Sequence, residues 1–183
     1  MFKTISFDHI LVPTDGSPLA WTAVQPAVML AKASNGSITL LEVVHPVSRS
    51  IPIPTFAPVV NLASVVDESA TSALVSTCSV TLCEAACLLS ETEGLPVDWR
   101  VLIGNDIAKA IVEFAADHGV DAIAMSTHGR GMSRYLLGSV SDKVLRSSTV
   151  PVLVQRPAVA TDVEPLLTEA EVADQLPALA GRC

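Results

Sequence analysis

Basic residues are scarce in this chain. Eleven Lys and Arg stand against 19 Asp and Glu, a formal net charge of −8. A surface of that sign repels a polyanion, so nucleic acid is not expected as a partner. Long apolar runs are missing as well. None approaches the roughly 20 residues of a membrane span, and the opening MFKTISFD lacks the basic-then-apolar layout of a secretory leader. No membrane is expected, and the cytoplasm is the expected compartment. Only four cysteines occur: Cys78, Cys83, Cys87 and Cys183. Cys83 and Cys87 share a helix face by their spacing, but no second Cys or His pair stands near enough in sequence to complete a metal site. The cysteines read as small apolar residues of a reduced compartment. No GxxxxGK[ST] phosphate loop is present, and no pair of carboxylates flanks a glycine turn, so no catalytic set is expected.

What is present is an alternation of apolar strands and patterned helices. The chain has 183 residues, half of them hydrophobic, enough for one well-buried domain. Residues 9–14 form a short apolar run closed by Asp-Gly-Ser-Pro. There Ser17 can cap a helix and Pro18 suits its first turn. That helix is expected to run to about residue 34, kinked at Pro26, and to end at Asn35-Gly36. Residues 37–44 read as a second strand. Residues 45–66 hold Pro46, Pro52, Pro54 and Pro58 without a helical period and read as a long loop. A long helix follows over 67–93, a strand over 97–103, and an amphipathic helix over 106–118. A strand over 120–126, a helix over 139–147 and a strand over 150–154 complete the series. Strands alternating with helices imply a parallel sheet covered on both faces. The domain spans 1–157. Residues 158–183, with five acidic residues and one arginine, read as a mostly disordered tail with a short helix over 169–176.

The glycine-rich segment between the fourth strand and the last helix carries the chemistry. Gly129, Gly131 and Gly138 can present backbone N–H groups without a Cβ in the way. The helix that begins near Ser139 adds the positive end of its dipole and unsatisfied donors. Between 127 and 147 there are four basic residues (Arg130, Arg134, Lys143, Arg146) against Asp142, which suits a single anionic ligand. In doubly wound sheets ligands bind at the carboxyl ends of the strands, where the winding reverses. Asp15 and the turn at Thr127 both follow such ends. Each residue also has a plainer role open to it: Asp15 as a turn cap, Gly129 and Gly131 as chain reversals, Ser139 as a helix N-cap, His128 as a loop tether.

Four motifs in order, Val12-Pro-Thr-Asp-Gly-Ser17, Ser126-Thr-His-Gly-Arg130, Leu137-Gly-Ser-Val140 and Pro151-Val-Leu-Val154, resemble those of universal stress proteins over roughly residues 8–156. The resemblance implies a Rossmann-like α/β fold, five parallel strands in the order 3-2-1-4-5, and a homodimer formed through the last strand (Val152, Leu153, Val154). One branch of the family binds ATP through Gly, two residues, Gly, nine residues, Gly, then Ser or Thr. Here Ser126 takes the first glycine position, and eight residues separate Gly129 from Gly138. Carried over position by position, Pro13 and Thr14 would line an adenine pocket and Val43 would meet the base through its backbone. Asp15 would sit by ribose or phosphates, and Met125, Ser126, His128 and Arg130 would border them. Gly129, Gly138, Ser139 and Val140 would donate to phosphate. Mg2+ would accompany ATP, held mainly by phosphate oxygens and water. The implied function is a stress-response regulator that binds an adenine nucleotide with slow or no hydrolysis. The alternative is a dimeric interaction protein of the same family that binds none.

Overall fold

The computed structural model of the chain describes residues 6–53, 61–127 and 138–156. Its centre is a five-stranded parallel sheet built from β1 (His9–Thr14), β2 (Ser37–Val44), β5 (Val97–Ile103), β6 (Ala122–Ser126) and β7 (Val152–Gln155). The order across the sheet is β5-β2-β1-β6-β7, which is the expected 3-2-1-4-5 order once the five strands are counted along the chain. The register runs from His9↔Ser37 to Thr14↔Glu42 between β1 and β2, and through Ile10↔Ala122 between β1 and β6. The winding reverses at β1, so the crevice of a switch point lies at its carboxyl end.

β1, β2 and β6 are buried at nearly every position because each of their faces meets helices, whereas β5, at one end of the sheet, alternates with Asp98 and Arg100 exposed. Ile10, Val12, Ile38 and Leu40 pack with Ala23, Val24, Ala27, Val28, Leu82 and Ala86. Those partners lie on α2 (Val24–Ser34) and α3 (Glu68–Glu93). Leu11, Leu41, Val43, Ile123 and Met125 point the other way, onto Ile111, Phe114, Ala115 and Val144. Those lie on α4 (Ile107–Asp117) and α5 (Ser139–Ser147). Alternate Cβ directions along each strand produce this split.

Three expectations about elements are corrected. The first helix is not one kinked rod: α1 (Pro18–Trp21) stops at Thr22, and α2 starts at Val24. Pro26 has no N–H to give to the carbonyl four residues back, so the ladder breaks ahead of it and Pro26 falls in the first turn of α2, where a missing donor is harmless. Asn35, with φ 53°, closes α2 as expected. The proline-containing stretch 45–66 is not wholly loop. It contains β3 (Ser48–Ile53) and β4 (Asn61–Val66), an antiparallel ribbon in which Pro52 faces Leu62. A two-stranded ribbon has an outer edge on each strand, where proline costs no ladder bond. The ribbon leaves and rejoins the domain at one point: Asp67 N–H donates to the Val47 carbonyl at 2.7 Å, and Val47 N–H to Thr71 Oγ1 at 2.9 Å.

The third correction concerns α3. Its 26 residues are long and apolar enough, by length and composition, to cross a membrane. Residues 69–83 carry no charge, and Thr77, Ser79 and Thr81 turn their hydroxyls back onto carbonyls one turn earlier. One stripe of the helix, Cys78, Leu82 and Ala86, is buried. Cys78 and Cys83 are not in a disulfide, whereas Cys87 is disulfide-bonded, so the reading of all four cysteines as reduced does not hold at Cys87. The tail 158–183 lies outside the described residues.

Candidate functional site

The carboxyl end of β1 turns sharply. Gly16 has φ 75°, a conformation that side-chain-bearing residues rarely adopt. Thr14 Oγ1 accepts from Gly16 N–H at 3.1 Å and Asp15 Oδ1 from Ser17 N–H at 3.0 Å. Ser17 Oγ in turn accepts from Ala20 N–H at 3.2 Å, capping α1 as its sequence position suggests. Asp15 therefore does hold the turn, and it stays half-exposed. Pro13 and Thr14 are buried. Val43, also buried, lies one residue past the last β1–β2 pair and faces Leu102 on β5. At that point β2 loses its β1 neighbour and the crevice begins.

On the other side of β1, Met125 and Ser126 end β6, paired with Val154 and Gln155. Ser126 is 6% exposed. Its carbonyl accepts from Ser141 Oγ at 2.9 Å, which pins α5 against the strand. Its own Oγ is buried with no hydrogen-bond partner among the described residues, an orphaned hydroxyl where the family motif has glycine. Thr127 and Gly138 bracket the glycine segment, and Gly138 N–H donates to the Thr127 carbonyl at 2.7 Å. The segment thus starts and finishes at one place. His128, Gly129 and Arg130, with the rest of 128–137, lie outside the described residues.

Two assignments change here. Gly138, not Ser139, is the N-cap of α5, and Ser139 is its first helical residue. The Gly138 amide is engaged by Thr127, so it is not the free phosphate donor the motif implies. The Gly138 carbonyl takes the Asp142 N–H at 2.9 Å. The amides left by helix geometry without an intrahelical partner are those of Ser139, Val140 and Ser141.

Ser139 and Val140 open on a hollow of about 210 Å³ that is lined also by His45, Asn105, Asp106, Ile107 and Lys143, among others. It lies beyond the carboxyl ends of β2 and β5, and the amino termini of α4 and α5 both face it. Its volume suits a phosphate chain better than a whole nucleotide, since sites for larger ligands run to roughly 300–1,000 Å³. A larger hollow of about 400 Å³ lies at the opposite, amino end of the strands, against His9, Thr39 and Asp98, away from the switch point. Sequence reasoning missed His45, Asn105 and Asp106. Asp106 is legible as a helix cap, but only the packing of α4 beside α5 places it across from Lys143. Among the described basic residues of the segment, Arg146 is tied to both carboxylate oxygens of Asp142 at 3.0 Å, the plain role of a solvated helix pair.

Asp106 Oδ1 accepts from Lys109 N–H at 3.2 Å. That bond, helped by the Lys143 charge, holds its carboxyl below the ordinary value of 3.8. A carboxyl depressed on folding adds stability above its unfolded value and loses it as pH falls through the folded one. The wild type is therefore expected to melt above Asp106→Asn at neutral pH. That difference should fade as pH falls below 3.8, in thermal unfolding of the two proteins in parallel. A pH-independent difference would show that the carboxylate charge is not what stabilises the cap.

Among the described residues, no group of three or more His, Cys, Asp or Glu could hold a metal ion. A family model described as "Universal stress protein family" matches residues 6–156. The chain is similar to universal stress protein MJ0531 of Methanocaldococcus jannaschii, 30% identical over 149 residues, covering 81% of each chain. In structure it is similar to universal stress protein UspA from Lactobacillus plantarum (TM-score 0.64, 20% identity, 84% of this chain and all of that one). It is also similar to a universal stress protein in complex with cAMP (TM-score 0.54, 21% identity, 84% of this chain and 99% of that one). A third likeness is to a universal stress protein from Archaeoglobus fulgidus in complex with dAMP (TM-score 0.52, 20% identity, 82% of this chain and 98% of that one).

Proposed function

This chain belongs to the universal stress protein family, and from that premise we propose that it is a regulatory protein that binds an adenine nucleotide, ATP, at the carboxyl ends of its strands. The observation that carries the reading is the hollow at the amino terminus of α5, where Ser139 and Val140 from the end of the glycine motif meet Lys143. Helix amino termini and a lysine suit a phosphate chain. The cAMP and dAMP held by two structural neighbours support an adenine nucleotide as the class of ligand. Thr14, Asp15, Val43 and Ser126, around the end of β1, would receive the nucleoside, and the orphaned Ser126 hydroxyl would gain a partner there. Mg2+ would arrive with the phosphates and keep most of its water. On this reading hydrolysis is slow or absent and the nucleotide acts as a signal. The reading keeps the cytoplasm as compartment, and the disulfide at Cys87 is the observation that runs against it. Calorimetric titration of the whole chain with ATP and Mg2+ tests the proposal.

A second reading, a homodimer formed through β7, rests on its own observation. β7 is the end strand of the sheet, with Leu153 36% exposed between Val152 and Val154. An apolar edge strand with open backbone groups pairs readily with a copy of itself. Leu153→Lys is expected to convert a dimer to monomer in sedimentation velocity without lowering the melting temperature of the monomer. A Leu153→Lys protein that still sediments as a dimer would place the interface elsewhere.

A further inference from the structure

We propose that Lys143 is the phosphate-contacting cation of the hollow and that Asp106 holds it in reserve, the pair parting when a phosphoryl group enters. The inference rests on the nucleotide reading above and adds a residue pair that the glycine motif does not contain. Asp106 divides its oxygens between two tasks. Oδ1 caps α4 through Lys109 N–H at 3.2 Å, while Oδ2 stands 3.5 Å from Lys143 Nζ. A tight charge-assisted bond is nearer 2.7–2.9 Å, so this contact is loose. The side chains are 62% and 48% exposed, and pairs of that kind shift an equilibrium by about fivefold at most. A ligand can therefore part them at little cost.

The surroundings explain why a carboxylate lies in a site for an anion. The amino termini of α4 and α5 both carry partial positive charge toward the hollow. With no ligand present, Lys143 beside two such ends is repelled, and Asp106 offsets that. When a phosphoryl group arrives it takes over the same role for all three, and the carboxylate is left as a competitor. The contrast within α5 is informative. Arg146, one turn from Asp142, is held at 3.0 Å by both oxygens and does not line this hollow. Lys143 has its recorded ion pair with a residue of another helix, 37 positions away, across the hollow lined by Ser139.

The test is a double-mutant cycle on the full chain, with ATP and, separately, inorganic tripolyphosphate as titrants. Asparagine caps a helix about as well as aspartate, so Asp106→Asn leaves α4 capped. It is expected to tighten binding of both titrants about threefold, and Lys143→Gln to weaken it about fivefold. Both effects should shrink in about 0.5 M salt, where the screening length falls to a few Å. Because Asp106 acts largely through the lysine, Asp106→Asn is expected to bring a smaller gain once Lys143→Gln is present, when only the direct repulsion between the carboxylate and the phosphates is relieved. An equal gain in both backgrounds would overturn the latch, as would wild-type affinity in Lys143→Gln. ATP binding that ignores Lys143→Gln would remove the latch alone. A wild type that binds neither ATP nor tripolyphosphate would remove the latch and the nucleotide reading together.

Discussion

Alanine at position 36 is expected to lower the stability of the domain by roughly 2–3 kcal/mol, the cost of forcing an atom into a filled site, and its melting temperature by about 5–10 °C. A Cβ built on Gly36 runs into the carbonyl oxygen of Phe7 and comes within 2.8 Å of that of Asp8. Both obstacles are backbone, so no side chain can swing aside. The Asp8 carbonyl also receives the Ser37 N–H at 2.8 Å, the bond that starts the β1–β2 register at His9↔Ser37. Pushing residues 7 and 8 away opens the two central strands at their first pair. Differential scanning calorimetry of Gly36→Ala reads the effect directly. A melting temperature within a degree or so of wild type would mean that the turn after α2 can move where the packing says it cannot.

Ser139→Asp is expected to weaken ATP binding about a hundredfold or more while leaving the fold intact or slightly more stable. Ser139 is the first residue of α5 and lines the hollow. A carboxylate there faces the incoming phosphates, and two like charges about 4 Å apart repel by a few kcal/mol near a protein surface. The same carboxylate lies at the positive end of the α5 dipole, where it stabilises the helix by about 0.3–1 kcal/mol. Binding and stability should therefore move in opposite directions, a signature that a misfolded variant cannot mimic. Loss of both together would make Ser139 a structural residue. Retention of both would remove the hollow from the binding site.

Much of the fold is legible in the sequence because the signals are local. The run His9–Thr14 is apolar at consecutive positions since both its faces are buried, and Asn35-Gly36 and Gly94 stop helices by left-handed geometry. The β3–β4 ribbon is hidden for the opposite reason. Its Pro52 is a breaker in a central strand but is tolerated on the edge of a two-stranded ribbon, and no local pattern distinguishes the two settings. The break at Thr22-Ala23 follows from Pro26, which is plainly visible, but whether a proline kinks a helix or begins a new one depends on how Ala20, Ala23 and Val24 seat on the sheet.

The site is legible only in part. Pro13, Thr14, Asp15, Val43, Met125, Ser126, Ser139 and Val140 are found at or beside the carboxyl ends of β1, β2 and β6, as the motif order implies. The engagement of the Gly138 amide by Thr127 and the placement of Asp106 opposite Lys143 arise from tertiary packing between elements far apart in the chain, and no spacing rule reports them. Ser126 marks the departure with the clearest physical trace. A hydroxyl replaces the hydrogen of glycine, and it is buried without a partner among the described residues, a state that costs about 1–3 kcal/mol unless something else supplies the bond.

Calorimetric titration of the purified full chain with ATP and Mg2+, run beside Ser139→Asp, tests the nucleotide claim most directly. A saturable signal at one site per chain, absent from a Ser139→Asp protein that melts no lower than wild type, is the predicted result. A folded wild type that gives neither heat nor a rise in melting temperature in excess ATP, where any ligand well above its dissociation constant must stabilise the native state, would contradict it.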